Sequence, residues 1–158
     1  MKKLSNLLIY SLLSSSILLF SCEEREDIDT EYPTIDISYS DAFPRQCSSI
    51  KKGSSITFKA LFRDNVQLGS YSIDIHHNFD HHSHSTEVND CDMDAKKEAN
   101  NPFLFIKNYD IPEGQQEFVA EQEIEIPADI ESGDYHFMIL LTDEEGWQTI
   151  KGLSIKIE

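Results

Sequence analysis

An alternation of apolar and polar residues is the feature that most constrains the fold of this chain. Every second residue from Ile56 to Phe62 is apolar, and the stretches 68–77 and 117–126 show the same period of two, although Gln122 breaks it in the last stretch. No stretch after residue 33 has a convincing period of 3.6, and turn signals separate the alternating runs. The pattern predicts an all-β domain, a single antiparallel β-sandwich of about seven strands.

The N-terminus, residues 1–21, has the layout of a lipoprotein signal peptide. Two lysines precede an apolar segment that is short for a membrane span. The segment ends in Leu19-Phe20-Ser21-Cys22, which resembles a bacterial lipobox. The resemblance implies cleavage before Cys22 and lipidation of this cysteine. The alternative is an ordinary secretory signal with an incidental cysteine.

The charge of the chain is strongly acidic. It has 13 Lys and Arg against 29 Asp and Glu, a formal net charge of −16. This balance excludes nucleic acid and anionic lipid surfaces as partners and is compatible with cations. Residues 22–32 are predicted to be an acidic tether and 33–158 the domain. The acidic run after Cys22 resembles the export signal of surface lipoproteins of Bacteroidota, which implies an outer-membrane lipoprotein that is surface-exposed.

Two further cysteines, Cys47 and Cys91, remain once Cys22 is set aside. In an oxidising compartment a disulfide between them is the default expectation. Such a bridge would stabilise the fold by about 4 kcal/mol on the chain-entropy account. The alternative, that one or both thiolates are metal ligands, stays open at this point.

A run of nine residues, 76–84, holds five of the six histidines. Imidazole is a poor hydrophobe and a common ligand for Zn²⁺ and Cu²⁺, so metal binding explains the run better than packing does. His136 is expected to point outward on a neighbouring strand, and Asp80 is a candidate ligand or an acceptor that orients a histidine. All-imidazole donors suit zinc or copper, and zinc is preferred. The predicted metal-site residues are His76, His77, Asp80, His81, His82, His84 and His136.

Two alternatives to metal binding stay open for the histidine run. The run can be a solvated loop that binds nothing specific, or a pH sensor, because clustered imidazoles repel one another once protonated.

Several local motifs resemble those of bacterial Ig-like domains. Gly133-Asp134-Tyr135 followed by Asp143-Glu144-Glu145-Gly146 is similar to the Gly-x-Tyr…Asp-x-x-Gly pair of their penultimate strands. With the lipobox, the tether and the segment Asn78-Phe79-Asp80-His81-His82-Ser83-His84, the chain resembles a family of Bacteroidota lipoproteins with a domain of unknown function. The resemblance covers about residue 35 to the C-terminus. It implies an Ig-like fold and location at the outer membrane, but it implies no activity.

Motifs for catalysis are missing from the sequence. It contains no Gly-x-Ser-x-Gly, no His-Glu-x-x-His and no phosphate-cradling glycine loop, so we do not expect an enzyme. Asp64 and Asp143 are predicted to be turn residues. The acidic stretch 89–94 resembles the start of an EF-hand without its glycine, and we expect a solvated loop there.

Two functions remain. The first is a surface lipoprotein that binds zinc or copper through its histidine-rich loop. The alternative is an Ig-like interaction module that binds a surface glycan or protein, with the histidines incidental.

Overall fold

The computed structural model of this protein describes residues 28–84 and 91–158. The predicted signal peptide, Cys22 and the predicted tether up to residue 27 lie outside the described residues. Within the described ranges, no helix is long and apolar enough to cross a membrane.

The described chain forms eight strands in two sheets. A three-stranded sheet has the order β1-β3-β6, and a five-stranded sheet has the order β2-β8-β7-β4-β5. This arrangement confirms the predicted all-β sandwich. The strands are β1 (Thr34–Asp36), β2 (Ser48–Ile50), β3 (Ser55–Arg63), β4 (Leu68–His77), β5 (Phe105–Asp110), β6 (Glu117–Glu125), β7 (Gly133–Asp143) and β8 (Gln148–Ile157).

The core lies between the two sheets and is built from the residues that the alternation marked as apolar. Phe58 and Phe62 of β3 are fully buried, as are Ile73 of β4 and Phe137 of β7. The Phe58 and Phe137 rings stack across the sandwich with their centroids 5.6 Å apart. Alternate residues of each strand point to opposite faces, so the residues between these core positions lie on the outer faces of the sheets.

Strand β2 was not predicted. It is only three residues long and pairs in parallel with β8, with Ser48 opposite Ile155. All other pairs between named strands are antiparallel. A three-residue strand is too short to show a period of two, and its partner lies about a hundred residues away, so the surrounding stretch 44–52 has no local strand signal.

Strands β4 and β7 are neighbours in the middle of the five-stranded sheet and run antiparallel. The end of β4 therefore lies beside the start of β7. The long connection from β4 to β5, residues 78–104, leaves the sheet at this point. The position of the histidine run follows from this arrangement.

Candidate metal centre

His76 and His136 lie side by side on β4 and β7. The register makes them direct cross-strand partners, and their ring centroids are 5.2 Å apart. Their neighbours Ile75 and Phe137 face the core, so both histidines project from the outer face of the five-stranded sheet. His136 is nevertheless fully buried, because the β4–β5 connection folds back over it.

Phe79 holds that connection against the sheet. Its ring is 3% exposed and packs edge-on against Tyr135, with the centroids 5.3 Å apart. The Lys97 ammonium lies 4.1 Å from the centre of the same ring. Gly133 leaves the space that the ring occupies, because a Cβ there would meet Phe79 Cε1 at 2.8 Å. Packing on three sides fixes the path of the chain just before the loop histidines.

Hydrogen bonds and a disulfide hold further described residues of the connection. The Asn78 amide donates to the Asp134 carbonyl at 2.8 Å, and the Asp94 amide donates to Asp134 Oδ2 at 2.7 Å. Cys91 is bonded to Cys47, which confirms the predicted disulfide. A disulfide sulfur is not a thiolate, so the alternative that these cysteines ligate a metal is removed.

Four histidines form one compact group at this place. One ring nitrogen from each lies within 4.8 Å of the corresponding nitrogens of the other three. The group joins two strand residues to two residues of the loop, and its solvent side is formed by His82, the most exposed of the four. The members are His76, His82, His84 and His136.

The rings of this group approximate a tetrahedron. The six centroid separations lie between 4.6 and 5.5 Å. In a square, opposite rings would be about 1.4 times as far apart as neighbouring rings, whereas the longest and shortest separations here differ by a factor of about 1.2. Zinc–nitrogen bonds of about 2.0–2.1 Å, directed tetrahedrally, place imidazole centres about 5.2 Å apart. The observed separations bracket that value.

One nitrogen pair of the group already lies at the distance that separates two ligands of one ion. His76 Nε2 and His84 Nε2 are 3.2 Å apart. Two nitrogens bound to one tetrahedral zinc ion are separated by about 3.3 Å. The hydrogen bond between these two nitrogens therefore has nearly the N–N distance that a zinc ion bound to both would require.

Two carboxylates orient the rings of the group. His76 Nδ1 donates to Asp74 Oδ1 at 2.8 Å, and His82 Nδ1 donates to Asp80 Oδ1 at 2.6 Å. A neutral ring that carries its proton on Nδ1 has the lone pair on Nε2, so both rings offer Nε2 to the group. The hydrogen bond from His82 also lowers the pKa of Asp80 from 3.8 to about 2. Asp80 thus stays an anion wherever His82 can bind a metal.

The remaining predicted residues lie outside the four-histidine group. His77 packs its ring on Phe79, with centroids 5.0 Å apart. His81 adopts a left-handed backbone conformation, φ 59°, and its Nε2 donates to the Asp94 carbonyl at 2.9 Å. Asp80 contacts the group only as the acceptor for His82. His77, Asp80 and His81 were predicted to be metal-site residues because they are close in sequence to the other histidines. The path of the loop, which keeps them out of the group, cannot be predicted from the sequence.

Asp74 was missed by the sequence reasoning, although a signal for it exists. It precedes His76 by two residues on the same strand, so both side chains share a face. Asp80 precedes His82 by the same interval and Asp134 precedes His136 likewise, so the motif Asp-x-His is present three times.

A second group of candidate ligands was also missed. Carboxylate oxygens of Asp29, Asp143 and Glu145 lie within 4.8 Å of one another. Asp29 is more than a hundred positions away from Asp143 and Glu145 in sequence, so the three residues form no local motif. Asp143 does serve its predicted role as a turn residue, since its Oδ1 accepts the amides of Gly146 and Trp147, each at 2.7 Å.

The chain matches the model of a known protein family. A family model with the description "Domain of unknown function (DUF4625)" matches residues 20–158. No curated protein is significantly similar to the chain.

Proposed function

The chain belongs to the family described as Domain of unknown function (DUF4625), and because that description states no activity, we propose a function from the site itself. The protein is a lipid-anchored metal-binding protein that holds one zinc ion. The ligands are His76, His82, His84 and His136. The observation that carries the proposal is the near-tetrahedral packing of these four rings at the separations that a shared ion requires.

Zinc is favoured over copper by the shape of the group. Cu²⁺ prefers square-planar or tetragonal ligand sets, and raw affinity for nitrogen donors otherwise favours copper. The four rings are close to equidistant, which suits an ion without a geometric preference of its own. Copper remains the competing ion in any titration.

A full set of four imidazoles supports binding in preference to catalysis. Catalytic zinc sites use three protein ligands and keep one position open for water, whereas sites with four protein ligands are closed. Two of the rings are oriented by carboxylates, and such acceptors raise the basicity of the imidazole and tighten metal binding. We therefore propose capture, buffering or storage of the ion.

The proposed location is the outer membrane, with lipid on Cys22 and the domain exposed at the cell surface. The N-terminal segment meets the domain at the β7–β8 turn, where Trp147 Nε1 donates to the Asp29 carbonyl at 3.0 Å. His136 precedes Asp143, the last residue of β7, by seven positions, which corresponds to about 23 Å along the strand. The histidine group therefore lies at the end of the sheet that is remote from the proposed anchor.

An Ig-like relationship within the sandwich class is supported by two features. The strand orders place β3 beside β6 and β7 between β4 and β8, as strands B, E and G, F, C lie in Ig-like domains. The Tyr135 hydroxyl donates to the Glu131 carbonyl at 2.7 Å, near the start of β7. This is the position of the tyrosine corner of that fold.

The experiment that tests the proposed function compares two adjacent histidines. We expect His82→Ala to lower zinc affinity at least tenfold, because it removes one ligand of four. His81→Asn is the matched control, since His81 lies in the same loop but outside the group and asparagine tolerates the left-handed backbone there, and we expect little change. Zinc affinity is measured by competition with a chromophoric chelator. Equal losses in the two variants, or none in either, would refute the assignment.

A further inference from the structure

A second cluster of ligand atoms lies at the opposite end of β7 from the histidines. It consists of carboxylate oxygens from Asp29, Asp143 and Glu145, all within 4.8 Å of one another. Among the residues that the structure describes, no lysine or arginine nitrogen lies within 4.0 Å of any of these carboxylates. Three negative charges thus face one another without a basic side chain to balance them.

The two aspartates of this cluster are buried, and one oxygen of each carboxylate accepts no hydrogen bond. Asp29 is 4% exposed and Asp143 is 3% exposed. Asp143 Oδ1 accepts two backbone amides of the β7–β8 turn, and Asp29 Oδ1 accepts the Glu31 amide at 3.0 Å and Asn65 Nδ2 at 2.8 Å. The Oδ2 atoms of both aspartates are buried and meet no hydrogen-bond donor. A buried carboxylate oxygen without a partner is costly unless a cation supplies the missing interaction.

The neighbouring turn between β3 and β4 repeats this pattern. Asp64 Oδ2 accepts the amides of Val66 and Gln67, each at 2.8 Å, while Asp64 Oδ1 is buried without a donor. The next residue, Asn65, is the one that donates to Asp29. The turn that contacts the cluster through Asn65 therefore carries another carboxylate with an unpaired buried oxygen.

We propose that Asp29, Asp143 and Glu145 bind one Ca²⁺ ion. Calcium takes carboxylate oxygens at about 2.3–2.6 Å, so its opposite ligands are about 4.6–5.2 Å apart, and three oxygens within 4.8 Å of one another can all reach a single ion. Magnesium demands near-ideal octahedral geometry at about 2.0–2.1 Å and keeps several waters, which a buried carboxylate cage serves poorly. The ligand class differs from that of the histidine group, so this proposal does not rest on the proposed zinc site.

The ion would join the N-terminal segment to the body of the domain. Asp29 belongs to that segment, whereas Asp143 and Glu145 belong to β7 and the turn after it. The segment already contacts this turn, since the Tyr32 and Trp147 ring centroids are 5.0 Å apart and Trp147 Nε1 donates to the Asp29 carbonyl. Calcium would therefore fix the direction in which the chain enters the domain from its N-terminus.

The single tryptophan provides a direct assay. Trp147 lies beside the cluster, so Tb³⁺ bound in the place of Ca²⁺ is sensitised when the indole is excited. We expect saturable terbium emission from the purified, chelator-treated protein. Added Ca²⁺ should displace it with a Kd of about 10⁻⁴ to 10⁻³ M, the range of extracellular calcium modules. The same concentration of Mg²⁺ should displace it far less.

Two variants assign the emission to these ligands. Glu145→Gln should weaken Tb³⁺ and Ca²⁺ binding by on the order of tenfold or more, and it leaves the buried hydrogen bonds intact because Glu145 is exposed. Glu144→Gln, an exposed neighbour outside the cluster, is the matched control and should titrate as the wild type does. Asp29→Asn should reproduce the loss. If both ligand variants bind Tb³⁺ like the wild type, or if Ca²⁺ fails to displace it, the proposal is wrong.

Discussion

Replacement of Asp74 by asparagine perturbs the proposed zinc site without touching a ligand. Asp74 Oδ1 accepts the Nδ1 proton of His76 at 2.8 Å, and an asparagine oxygen can accept the same proton without the negative charge. Loss of such an acceptor costs about 10- to 100-fold in metal affinity. Because 37% of the Asp74 side chain is exposed, solvent screens its charge, and we expect the lower part of this range, about 10- to 30-fold. That corresponds to about 1.4–2 kcal/mol.

The assay is a zinc competition titration of Asp74→Asn beside a charge-matched control. Asp110→Asn removes the same charge from β5, where the side chain is exposed and outside the histidine group. If the hydrogen bond to His76 tunes the site, only Asp74→Asn weakens zinc binding, and both variants keep the thermal stability of the apo protein. An equal effect of the two substitutions would show that overall charge, and not the orientation of His76, governs the affinity.

Three further predictions concern the fold that supports the site. Phe79→Ala should lower the free energy of unfolding by about 3–5 kcal/mol in denaturant titrations, because the ring is buried, whereas Leu104→Ala, at an exposed position, should change it by less than about 0.5 kcal/mol. Replacing Cys47 and Cys91 together by serine should cost about 4 kcal/mol in the same assay, since the bridge closes a loop with a sequence separation of 44; no loss would contradict the bridge. Two backbone amides of the β4–β5 connection lower the pKa of Glu131 below 4.5, so its stabilising effect is complete above pH 4.5 and is lost as the pH falls through the lowered value. The melting temperature of Glu131→Gln should therefore fall less steeply with decreasing pH than that of the wild type, and identical pH profiles would refute this role.

The strands that could be predicted from the sequence are those whose periodicity reports burial directly. The alternation in 54–62 and 68–77 corresponds to β3 and β4 within a residue at each end. The sequence run 134–141, apolar on both faces, corresponds to β7, which lies between two partners in its sheet. In each case, a local pattern contains the information because side-chain direction alternates along any strand.

The parts that could not be predicted depend on contacts between distant segments. Strand β2 has no pattern of its own and exists because β8 offers a free edge. His136 was expected on an outer face, and it lies there, but its complete burial depends on the loop that covers it. No local rule gives the path of a connection of this length.

The candidate ligands show the same division. His76 and His136 could be paired from strand positions alone, because both point outward on strands expected to be neighbours. Which loop histidines join them depends on the left-handed backbone at His81, which turns that ring to the Asp94 carbonyl and leaves its neighbour His82 in the group. The acidic cluster around Asp29 could not be predicted, since it requires the N-terminal segment to meet the last hairpin.

The central claim is that four imidazoles share one ion. X-ray absorption at the zinc edge, on protein purified without an affinity tag and loaded with one equivalent of zinc, tests it most directly. We predict four nitrogen neighbours at about 2.0–2.1 Å, with the outer-ring scattering of imidazole. A spectrum with fewer than three imidazoles, or one dominated by oxygen neighbours, would contradict the assignment of His76, His82, His84 and His136 as a zinc site.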